Sequence, residues 1–120
     1  MKSEAQVVED IRRATMGLDV LLWKNPVGYW PEKHLHYGLD KGSSDLIGIQ
    51  RMLITPDMVG QYVGVFVAAE VKKEEWRPSM DTPKHHSEQS NFISQVKSMG
   101  GIGGFYQSAE QFKKDMTNEF

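Results

Sequence analysis

The chain has 120 residues, of which 39% are hydrophobic, 25% charged and 10% aromatic, a composition that predicts one soluble globular domain over 1–120 and leaves no room for a second. It has no cysteine, which excludes disulfide frameworks, zinc knuckles, thiol nucleophiles and iron–sulfur ligation. The net charge of -2 offers no global attraction to a polyanion, so a nucleic-acid partner would need a local basic patch.

From Ser3 to about Leu18, Val8, Ile11, Thr15 and Leu18 form the stripe of an amphipathic helix, with Ser3 and Gln6 as a capping box. Gly17 stops it, and Val20 to Trp23 reads as a short strand. Residues 25–44 carry Pro26, Gly28, Pro31, Gly38 and Gly42 among Tyr, Trp and His, the punctuation of a long loop. Two uses are open for Tyr29, Trp30 and Tyr37 in it: stacking on bases, or partial packing over the core, and the second is the expectation. Asp45 opens a strand to about Ile54, Thr55 begins a turn ending near Gly60, and Tyr62 to Lys73 follows as the second arm of a hairpin. Apolar residues on both faces of that arm predict a central strand. After a polar link containing Pro78 and Pro83, Gln89, Phe92, Ile93 and Val96 repeat at helical spacing until Gly100 and Gly101 end the helix. Gly104 to Gln107 reads as a last strand, and Ser108 with Gln111 caps a final helix. The order is α-β-β-β-α-β-α. No apolar run approaches the ~20 residues of a membrane span, and the charged start MKSEAQVVEDIRR does not resemble a signal peptide. The expectation is therefore a cytoplasmic protein with no membrane partner.

Glu70 is the anomaly, a carboxylate in an otherwise apolar strand. It needs compensation, and Lys72 lies two residues on along the same strand face. The pair reads either as a structural ion pair or as half of a site. Asp45, at the start of the neighbouring hairpin arm, would face Glu70 across the ladder, or else is a turn residue. Two such carboxylates suit Mg²⁺ or Mn²⁺, which take oxygen ligands and leave positions for water and phosphate. Glu4 shares the apolar stripe of the first helix, so it faces the sheet or else complements the helix dipole. Gln89 shares the face of Phe92, Ile93 and Val96, where an amide reaches the site or borders the core. The four histidines lack a ligand spacing and read as exposed donors beside Lys33, Lys41, Lys84 and Arg77.

Gly42-Ser43-Ser44-Asp45-Leu46-Ile47-Gly48, then Ala69-Glu70-Val71-Lys72, then Gln89 with Phe92 and the double glycine at 100–101, taken with the Glu4 helix, resemble the virus-type replication-repair nuclease (VRR-NUC) family of the PD-(D/E)xK superfamily. The resemblance spans nearly the whole chain. It implies a restriction-endonuclease-like α/β core, a central mixed β-sheet flanked by helices. It also implies a Mg²⁺- or Mn²⁺-dependent endodeoxyribonuclease site in which Asp45, Glu70 and the Val71 carbonyl hold the metal, Lys72 orients the attacking water, and Gln89 and Glu4 complete the catalytic set. Lys41, Ser44, Lys73, His85 and His86 are the expected DNA contacts. Stand-alone members of this kind, encoded by bacteria and phages, resemble homodimeric resolvases of four-way (Holliday) junctions. That activity belongs to replication, recombination or repair in the cytoplasm of a bacterial or phage-infected cell. A monomeric flap or nicking endonuclease and a non-catalytic DNA-binding scaffold are the alternatives.

Overall fold

The computed structural model describes residues 1–117. The protein is mixed α/β, with three α-helices and small antiparallel and parallel sheets. It divides into two compact units at Leu53/Ile54.

In the first unit, helix α1 (Glu4–Ala14) starts at the capping box expected from Ser3 and Gln6. The Gln6 backbone N–H donates to Ser3 Oγ at 3.2 Å and the Ser3 N–H to Gln6 Oε1 at 2.7 Å. A single 3₁₀ turn (Thr15–Gly17) follows, so the helix ends before Leu18. Strand β1 (Val20–Lys24) pairs antiparallel with β4 (Leu46–Gln50), in a register that puts Leu22 opposite Gly48 and Lys24 opposite Leu46. A side chain at Gly48 would run into the backbone carbonyl of Leu21, so this ladder requires glycine there.

Between β1 and β4 the long loop contains structure that its Gly and Pro content conceals. β2 (Gly28–Trp30) and β3 (Leu35–Tyr37) form an antiparallel hairpin around a 3₁₀ turn at Pro31–Lys33. Asn25 clasps its base: Nδ2 donates to Ser43 Oγ and the Ser44 carbonyl, both at 2.8 Å, and Oδ1 accepts from the Leu39 N–H at 3.2 Å.

In the second unit, β5 (Val67–Val71) runs parallel to β6 (Ile102–Tyr106), joined by helix α2 (Pro83–Ser98), and α3 (Ala109–Thr117) follows β6. The buried apolar side chains are Ile93, Val96 and Tyr106, where α2 crosses the ladder. Helix α2 begins at Pro83, inside the stretch that reads as a link, because proline at the first helical position loses no hydrogen bond. Thr82 caps it, accepting the His85 N–H at 3.2 Å. Gly100, at φ 90°, ends it as expected.

Within the first unit β4 takes β1, within the second β5 takes β6, and the strands form three two-stranded sheets among the described residues. Strand β5 is five residues long and, within its unit, paired on one side only; the Phe66 carbonyl before it accepts the Ile102 N–H at 2.8 Å. Along β5, Val67, Ala69 and Val71 are exposed and Ala68 and Glu70 half-buried.

Candidate functional site

The parallel ladder and α2 bring Glu70, Lys72 and Gln89 into one hydrogen-bonded cluster. Gln89, on the inner stripe of α2, donates from Nε2 to Glu70 Oε1 at 2.7 Å. Lys72 Nζ donates to Gln89 Oε1 at 2.9 Å and lies 3.8 Å from Glu70 Oε1. The amide thus satisfies carboxylate and ammonium together, which orients both. Lys72 is fixed at its root as well, because its backbone N–H donates to the Tyr106 carbonyl at 2.8 Å, extending the ladder by one bond.

A third acidic group completes the cluster. Asp81 Oδ2 accepts from Lys72 Nζ at 3.1 Å and from Trp76 Nε1 at 3.1 Å. The Lys72 hydrogen bond holds the Asp81 carboxyl below its ordinary pKa, against the opposing effect of burial, with Trp76 assisting. Lys72 is 10% exposed and sits 5.2 Å above the Trp76 ring. Its charge is therefore held among two carboxylates, an amide and an indole rather than lying free at the surface. Gln107 pins the link that delivers Trp76 and Asp81, donating from Nε2 to the Glu74 carbonyl at 2.9 Å and the Trp76 carbonyl at 2.7 Å.

Glu70 also lines an open cavity of about 310 Å³ with His85, Glu88, Gln89 and Phe92. Its carboxylate has the hard oxygen chemistry that Mg²⁺ and Mn²⁺ take, and those ions need only one or two protein carboxylates beside water and phosphate. In that minimal sense the donors fit. Among the described residues no three His, Asp or Glu side chains converge into a ready-made cage. Val71, at the end of β5, is exposed.

Asp45 and Glu4 belong to the first unit, where both line an open cavity of about 520 Å³ with Ala5, Val8, Glu9 and Lys24. The Asp45 carbonyl accepts the Asn25 N–H at 2.8 Å, which sets the start of β4.

Of the expected DNA contacts, Lys41 and Ser44 belong to the first unit and Lys73, His85 and His86 to the second. Lys41 borders a cavity beside the β2–β3 hairpin, Ser44 serves the Asn25 clasp, and Lys73 is exposed, 3.9 Å from Glu75. His85 is exposed at the Glu70 cavity. His86 is not an exposed donor: its ring stacks at 5.1 Å on Phe105 and lies 5.9 Å from Trp76, and its Nδ1 is buried without a hydrogen-bond partner. Sequence reasoning missed Asp81, Trp76 and Gln107. The available signal was Asp81 two residues before a proline, which reads as a turn until the fold sets it against Lys72.

No family model, curated protein or solved structure matches the chain. Among the described residues no helix is long and apolar enough to cross a membrane.

Proposed function

We propose that the protein is a Mg²⁺- or Mn²⁺-dependent endodeoxyribonuclease of the VRR-NUC type that cuts four-way junctions as a homodimer. The observation that carries this reading is the Glu70–Gln89–Lys72 relay, in which one helix amide holds a strand carboxylate at 2.7 Å and the lysine two residues on at 2.9 Å. Carboxylates that ligate metals are themselves held by hydrogen bonds of this kind, and a cation fixed beside one is placed to meet charge on a phosphate.

Glu70, with the Val71 carbonyl, is the carboxylate proposed to hold the ion in its unit, and Asp45 carries over only as the acidic position that the resemblance pairs with it. The ion, when bound, supplies neutralisation of the phosphate and acidification of a water. Lys72 holds the attacking water and meets the charge that builds on the phosphate oxygens. Gln89 keeps Glu70 and Lys72 in register, and Glu4 is the outer partner that the resemblance implies. Two copies of the site would incise a junction symmetrically, which is the reason for a dimer.

The test incubates labelled four-way junction, flap and linear duplex DNA with the purified protein in Mg²⁺, Mn²⁺ or chelator. Glu70→Gln retains the acceptor for Gln89 and so keeps the fold, while Lys72→Ala removes the cation. Paired nicks in the junction, absent with chelator and in both variants, are expected, with a dimer mass by light scattering. Binding without cleavage in either metal would replace the nuclease with a DNA-binding scaffold on the same fold.

A further inference from the structure

The β2–β3 hairpin gathers aromatic side chains without spending them on a core. Tyr29, Trp30 and Tyr37 remain 47%, 46% and 47% exposed, and no residue from 25 to 44 is fully buried. Single exposed apolar residues need no explanation, but three aromatic rings on one ten-residue hairpin do. Their arrangement is ordered. Tyr29 and His36 are cross-strand partners with ring centroids 4.7 Å apart, and the Tyr29 hydroxyl lies 3.4 Å from His34 Nδ1. The Tyr37 ring lies over Gly28, where a Cβ would collide with it. At the turn, Lys33 Nζ sits 4.2 Å over the Trp30 ring, a cation held by an aromatic face.

Beside these rings is a cavity of about 570 Å³, lined by Tyr29, His36, Tyr37 and Leu39 and rimmed by Asp40 and Lys41. That volume lies within the roughly 300–1,000 Å³ of small-ligand pockets. Its chemistry is specific: flat π-faces, one carboxylate that accepts from amino groups, and one ammonium that pairs with phosphate. A nucleobase with its attached phosphate presents all three complements.

We infer that the hairpin pocket binds an unpaired nucleobase of a nucleic-acid strand, with the base against Tyr29, His36 and Tyr37 and the backbone phosphate at Lys41. The assignment uses residues 27–41 alone and stands whether or not Lys72 supports cleavage. It differs from electrostatic attraction to a duplex, since it requires bases and not only phosphates.

The experiment measures binding of a labelled mixed-sequence single strand, and of an abasic strand of equal length, in chelator. The base-bearing strand should bind at least tenfold tighter, as expected for stacking on aromatic side chains. Tyr29→Leu, which keeps apolar bulk and removes the π-face, should abolish the preference. Amide NMR shifts caused by the base-bearing strand should fall within 27–41, which reports on the site without a variant. A free deoxynucleoside monophosphate should bind the same amides more weakly than the strand. Equal affinity for the two strands, a preference that survives Tyr29→Leu, or shifts centred elsewhere would overturn the assignment.

Discussion

Replacing Tyr106 by Phe isolates one hydroxyl beside the candidate site. Tyr106 ends β6 opposite Val71, is 5% exposed, packs edge-on against Phe112 at 5.5 Å, and donates from its hydroxyl to Asp115 Oδ2 at 2.6 Å. The substitution preserves the ring, the ladder and the carbonyl that accepts the Lys72 N–H. A hydrogen bond to a charged group contributes about 1.5–3 kcal/mol. Asp115 is only half-buried and water can replace the lost donor, so the expected cost at neutral pH is about 1–2 kcal/mol. The pH dependence is more diagnostic. Burial, and then the Asp115 hydrogen bond and charge, push the Tyr106 hydroxyl up to about 12, whereas an unfolded tyrosine releases its proton near about 10. Above the lower value the unfolded chain binds fewer protons than the folded one, so this contribution is complete below about pH 10 and is lost as pH rises through the folded value. Urea unfolding of both proteins from about pH 8 to 11.5 is the assay, and other tyrosines and lysines cancel in the difference. The gap between wild type and Tyr106→Phe should narrow steadily across the upper part of that range, with an unchanged urea dependence. A gap that stays constant to the top of the range would refute the reasoning.

Four further outcomes are expected. Asp81→Ala should lower the unfolding midpoint much more in the presence of Lys72 than in a Lys72→Met background, because the lost Trp76 hydrogen bond is common to both; equal losses would mean that Asp81 and Lys72 are not coupled. The lowered Asp81 pKa adds an acid-side signature, since its contribution is present above the ordinary carboxylate value and disappears as pH falls through the folded one, a trend that Asp81→Asn should remove. Asn25→Ala removes three side-chain hydrogen bonds from the hairpin's base, and hydrogen exchange at the Leu39 amide should accelerate at least about tenfold while Val96 is unaffected. Gly48→Ala should destabilise the β1–β4 ladder by about 2 kcal/mol or more, seen as loss of amide protection from Val20 to Lys24.

Local signals in the sequence were legible because the chemistry that makes them is local. The Ser3–Gln6 box, the Gly100 stop and the Ser108 cap, which accepts the Gln111 N–H at 3.2 Å, concern residues a turn apart. Strand pairing is a different problem. Successive apolar strands suggest a hairpin, but the pairing of β4 with β1 and of β5 with β6 rests on contacts between residues 22 to 35 positions apart, which no periodicity encodes. The hairpin at 28–37 was hidden for a related reason: its strands are three residues each, too short to show alternation through the Gly and Pro that bend the chain. Glu70 and Lys72 could be put side by side from the two-residue period of a strand, and Gln89 on the core stripe from the helical one. Asp81 could not, because its position depends on the route of an irregular link.

Gln89, Ile93 and Val96 occupy one stripe of α2, since at about 100° per residue the amide lies within roughly 40° of both buried side chains. The helix therefore behaves as a camshaft. It cannot turn Gln89 away from Glu70 and Lys72 without lifting Ile93 and Val96 out of the buried apolar core of that unit. The positional order of the amide is thus inherited from the core about two turns further along, and a cavity opened at Val96 would be felt as slack among polar groups that Val96 never touches.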